Sequence, residues 1–93
     1  KLRLAHVLQW KKQFTESDRL FSEAILTCRT DPAAGPYLDF ALQHAGKNFF
    51  DQGQFVEAMA AFKEALDLRR RVNAPLDRIE SSEFAIERTY SFL

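Results

Sequence analysis

Apolar residues along this chain recur at three- and four-residue intervals, which places them on one face of an α-helix. No stretch alternates long enough to compete as a strand. Leu4, Val7 and Leu8 start a first, short stripe. Thr15-Glu16-Ser17-Asp18 then has the composition of a helix cap. A second helix is expected to run to about Arg29, with Leu20, Phe21, Ala24, Ile25 and Cys28 on its inner side. Asp31-Pro32 and Gly35-Pro36 interrupt the pattern, because proline lacks a backbone donor and restricts the residue before it. A third helix is predicted from about Pro36 to Gln52 on Leu38, Leu42, Ala45, Phe49 and Phe50, stopped by Gly53. A fourth runs from about Phe55 to Val72 on Phe55, Ala58, Met59, Phe62, Ala65, Leu66 and Leu68, and ends at Asn73-Ala74-Pro75. The last, about Leu76 to Leu93, carries Ile79, Ala85, Ile86, Tyr90 and Leu93. The expectation is an all-α domain of about five helices whose short turns make sequential neighbours antiparallel.

The pattern also repeats. Gln13, Phe14, Glu16, Phe21, Glu23 and Ala24 are answered 41 residues later by Gln54, Phe55, Glu57, Phe62, Glu64 and Ala65, and Arg29 by Arg70. A period of this size implies stacked units, none able to bury a core alone. Alanine three residues after Phe21 and Phe62 lets a neighbouring helix approach beside the ring, and Ala5 and Gly46 offer the same closeness on the helices in front. Repetition of this kind favours gripping a macromolecule over chemistry.

Composition narrows the classes further. A chain of 93 residues with 46% hydrophobic content and nine Phe is one small ordered domain. Thirteen basic and thirteen acidic side chains cancel, leaving no global field for nucleic acid or an anionic membrane. No apolar run approaches the roughly 20 residues that span a bilayer. Lone Cys28 forms no internal disulfide and fits a reducing compartment, so the expected setting is the cytoplasm. His6 and His44 have no further ligands at zinc spacing, and no metal or cofactor is expected. Ser17 and Asp18 with a histidine make a triad only on paper, because Ala58 stands where Ser17 does in the second unit. The basic run Arg69-Arg70-Arg71 falls at a helix end, where cations complement exposed carbonyls.

These residues resemble tetratricopeptide repeats. The second unit carries that family's pattern in Leu42, Ala45-Gly46, Phe49, Gly53, Phe55, Ala58, Phe62 and Ala65-Leu66. The first carries it more loosely in Leu4-Ala5, Leu8, Phe14, Ser17, Phe21 and Ala24-Ile25, with Lys12 in place of the turn glycine. A third begins at the C-terminus, where Ile86 and Tyr90 match Ala45 and Phe49 but Glu83 and Glu87 replace Leu42 and Gly46. The resemblance implies a right-handed α-solenoid with repeats at about 1–34 and 35–75 and a half-repeat or capping helix at 76–93. The spacing of 41 residues exceeds the family's usual 34, marking a long-period variant.

The resemblance further implies a non-catalytic module that binds a peptide or helix of another protein in a concave groove lined by the first helix of each unit. Projecting the pattern puts Gln43, Lys47, Phe50 and Asp51 on that face, with His6, Gln9 and Trp10 from the first unit and Phe84 and Arg88 from the last helix. Trp10 and Phe50 are the expected anchors, since rigid aromatics lose little entropy on binding. The lysine and asparagine clamp that some members use for a peptide carboxylate has no counterpart: Leu2, His6, His44, Ser81 and Ala85 stand there. The competing expectation is self-assembly, as a homodimer or within a longer regulatory array, through apolar ends that include Tyr90, Phe92 and Leu93.

Overall fold

The computed structural model describes the backbone from Leu2 to Leu93 and side chains from Phe14 onward. The described residues are all-helical, in the order α1 (Leu2–Thr30), a 3-10 turn at Gly35–Tyr37, α2 (Leu38–Asp51), α3 (Phe55–Arg71) and α4 (Leu76–Tyr90). Helix α3 packs against both α2 and α4, while α1 packs on α2 and the 3-10 turn.

Two helix ends explain the turns. After α2, the Gly53 amide donates to Phe50 O and the Gln54 amide to Phe49 O, both at 2.9 Å. This paired closure needs a left-handed residue, and Gly53 supplies it at φ +79°. Asn73 does the same after α3 at φ 51°, with the Asn73 amide on Arg70 O and the Ala74 amide on Arg69 O. Pro75 then opens α4 in an extended conformation, ψ 143°. Each closure reverses the chain and makes α2–α3 and α3–α4 antiparallel.

The core lies where α2 and α3 meet. Leu42, Ala45, Ala58, Met59, Ala61, Phe62 and Ala65 are buried. Gly46 lets the two helices touch: a Cβ there would lie 2.6 Å from Phe62 Cε1. Large and small groups therefore interlock as the sequence pattern implied.

Three expectations need correction. The break near Thr15–Asp18 is absent, and the two helices expected there are continuous as α1. Neither Gly nor Pro occurs between Leu2 and Thr30, and Lys12, a good helix former, stands where the second unit has its turn glycine. Asp18 does not cap; its Oδ1 accepts from Asn48 Nδ2 at 2.6 Å and Gln52 Nε2 at 2.8 Å, fastening α1 to α2. Second, Phe21 is only half-buried and Ala24 is exposed, unlike their counterparts Phe62 and Ala65. Third, Tyr90 and Leu93 are exposed, and the inner face of α4 is formed instead by fully buried Ser82 and Thr89.

Candidate functional site

Helices α2 and α4 stand side by side on α3 and leave a groove of about 290 Å³ between them. Its α2 wall is Gln43, Lys47, Phe50 and Asp51, residues at helical spacing on one face. Its α4 wall is Ser81, Phe84, Ala85 and Arg88, and Phe62 of α3 forms the floor. Six positions singled out from sequence, Gln43, Lys47, Phe50, Asp51, Phe84 and Arg88, thus line one concavity. His6, Gln9 and Trp10 lie outside the residues whose side chains are described.

A buried polar network holds the walls apart at fixed register. Arg69 is 3% exposed, and its Nε donates to Asp39 Oδ2 at 2.9 Å. Its Nη1 donates to the Arg78 carbonyl at 2.9 Å and to Ser82 Oγ at 3.0 Å. The Ser82 hydroxyl in turn donates to Gln43 Oε1 at 2.7 Å. With that oxygen engaged, the amide Nε2 of Gln43 remains for whatever enters the groove. Phe40 lies beneath the guanidinium groups of Arg69 and Arg78, at 5.5 and 4.6 Å from its centroid. One arginine so connects α2, α3 and α4, and no buried side-chain polar atom among the described residues lacks a partner.

Arg69 corrects the reading of the basic run as three helix-end cations. Position 69 continues the buried series 58, 62, 65 by one more turn, and that spacing was the signal available in the sequence. Arg70 and Arg71 do remain at the surface, paired with Glu83 at 2.7 Å and Asp67 at 2.6 Å. Arg29 pairs with Glu64 at 2.8 Å, and that hydrogen bond raises its pKa above the ordinary arginine value.

Arg88 lies over the Phe50 ring at 5.2 Å, while neither Lys47 nor Asp51 has an ion-pair partner among the described residues. Phe84 is 67% exposed on the rim. At the lower end, Phe92 stacks on Phe55 at 4.7 Å and meets Phe50 edge-on at 5.3 Å, so part of the expected apolar end is folded back onto the groove. Among the described residues no His or Cys lines the groove. Among the described residues no three His, Cys, Asp or Glu gather at metal-binding distance, and no helix is long and apolar enough to cross a membrane.

A family model described as tetratricopeptide repeat matches residues 1–71 of the chain. No curated protein and no solved structure matches the chain.

Proposed function

Since the chain belongs to the tetratricopeptide repeat family, whose members generally serve as protein-interaction modules, we propose that it binds a peptide or helix of another protein, without catalysis, in the groove between α2 and α4. The observation that carries this reading is the make-up of the groove itself. An aromatic floor and rim (Phe62, Phe50, Phe84) are bordered by Lys47, Arg88 and the Gln43 amide, which has its oxygen occupied. That combination suits an apolar anchor with an acidic neighbour. The anchor gains most of its binding energy by losing contact with water, and the charges fix its orientation.

The groove's size supports the same reading. A volume of about 290 Å³ accommodates one or two side chains and lies at the small end of pockets that enclose whole small molecules. A short, open groove with rigid walls needs little ordering on binding, which favours modest affinity at low entropic cost.

The reading is tested by panning a displayed library of random dodecapeptides on the immobilised chain. Enriched peptides are expected to share an apolar residue next to Asp or Glu. They are expected to lose at least about tenfold in affinity, some 1.4 kcal/mol, for Phe84→Ala or for Lys47→Glu with Arg88→Glu. All three positions are exposed, so thermal stability should be unchanged. Peptides that bind these variants as tightly as the parent chain would place the site elsewhere.

A further inference from the structure

The two repeat units share a pattern but differ in how it is covered. In the second, α3 packs against both α2 and α4, and Ala61 and Ala65 are buried. Their counterparts on α1 are Leu20, 58% exposed, and Ala24, also exposed. The segment that should cover them is present in the sequence: Leu4, Ala5 and Leu8 correspond to Ala45, Gly46 and Phe49. It cannot do so within one chain, because α1 is continuous from Leu2 to Thr30. Along a straight helix Ala5 stands about 24 Å from Phe21, at 1.5 Å per residue.

From this mismatch we infer that α1 is the opened form of a helical hairpin, and that two copies of the chain exchange their first segments. Helix α1 of one copy lies antiparallel to α1 of the other. Residues 2–11 of each cover the Leu20 and Ala24 face of its partner copy as α2 covers α3. Exchange of an identical element needs no interaction beyond those already encoded for the closed form. The register follows from the second unit. Gly46 sits at Phe62, so Ala5 of one copy sits at Phe21 of the other, and the two-fold axis passes midway, at Gln13.

Charge supports a second copy as the occupant. Residues 1–13 carry Lys1, Arg3, Lys11 and Lys12 and no acid, whereas residues 14–24 carry Glu16, Asp18 and Glu23 against Arg19 alone. Antiparallel exchange sets the basic half of each helix against the acidic half of the other, with Arg3 opposite Glu23. Parallel pairing would set like against like. The exposed face lies on α1, away from the α2–α4 groove, so exchange and peptide binding stand or fall separately.

Sedimentation equilibrium of the full chain at micromolar concentration tests the inference, with Lys12→Gly as the decisive variant. Glycine there supplies the left-handed turn that Gly53 provides in the second unit. The parent chain is expected at twice its 10.8 kDa, and Lys12→Gly at the single mass with its helical circular dichroism retained. A second variant, Leu20→Glu with Ala24→Glu, leaves α2–α4 untouched and is also expected at the single mass. A monomeric parent chain, or a Lys12→Gly variant as dimeric as the parent, would overturn the exchange.

Discussion

Replacing Arg69 by methionine removes the one side chain that contacts α2, α4 and the Phe40 ring at once while keeping its length and apolar stem. The substitution deletes an ion pair of 2.9 Å to Asp39, whose side chain is 12% exposed, and two further hydrogen bonds to Arg78 O and Ser82. Removing one partner of a buried pair leaves the other charge without compensation, at a cost of about 3–5 kcal/mol. A chain of this length has about 5–14 kcal/mol of total stability, so the variant should sit near its unfolding threshold at room temperature. Adding Asp39→Leu removes the stranded carboxylate. An apolar pair of similar size commonly equals a buried ion pair in stability, so the double variant should recover to within about 2 kcal/mol of the parent. Urea denaturation followed by circular dichroism measures both, with coupling taken from the double-mutant cycle. A loss below about 1 kcal/mol for Arg69→Met, or a double variant whose loss is simply additive, would refute the view that the network is buried and mutually dependent.

Other consequences are smaller and independent. Gly46→Ala should lower stability by about 1–2 kcal/mol, because overpacking against Phe62 exceeds the helix-propensity gain of about 1 kcal/mol; a stabilised variant in the same urea assay would contradict the close approach. Asn73→Val should cost about 1–2 kcal/mol and Asn73→Gly nothing or less, since position 73 needs a left-handed backbone. Arg29→Ala should cost less than about 1 kcal/mol and less still in high salt, since its pair with Glu64 is half-exposed. Because the Glu64 hydrogen bond raises the Arg29 pKa above the ordinary arginine value, its contribution is fully present below that ordinary value and is lost only as pH rises through the raised one, so a stability profile should show no Arg29-dependent step at neutral pH.

Most of the helices could be read from residues whose effect is local. Gly53, Asn73 and Pro75 set turns by their own backbone preferences, and the α2–α3 hairpin follows within a residue or two of the expected bounds. Helical spacing puts Gln43, Lys47, Phe50 and Asp51 on one face of α2, but singling that face out as a groove wall came from the family resemblance. What failed depended on absences and on tertiary contacts. The repeat pattern suggested a turn before Phe14, yet lysine at position 12 cannot make it as glycine does, so α1 runs on. Arg69 looked like surface charge in a run of three arginines, and its burial is made tolerable by partners distant in sequence: Asp39, 30 residues away, with Arg78 O and Ser82. Ser82 and Thr89 gave no hydrophobic signal, although one closes a hydrogen-bond chain and the other satisfies itself on Ala85 O at 2.7 Å. Small polar residues that bond locally can line a helix contact as alanine does, and hydropathy does not register them.

Photo-crosslinking reports whether a bound peptide lies in the groove between α2 and α4. A benzophenone side chain replaces Phe84 on the groove rim in one variant, and Val56, 69% exposed on α3 and not part of the groove lining, in another. Each is irradiated with a peptide enriched by panning. A covalent adduct is expected at position 84, suppressed by excess unlabelled peptide, and none at position 56. Adducts at position 56 alone, or equally at both positions, would contradict binding in the groove.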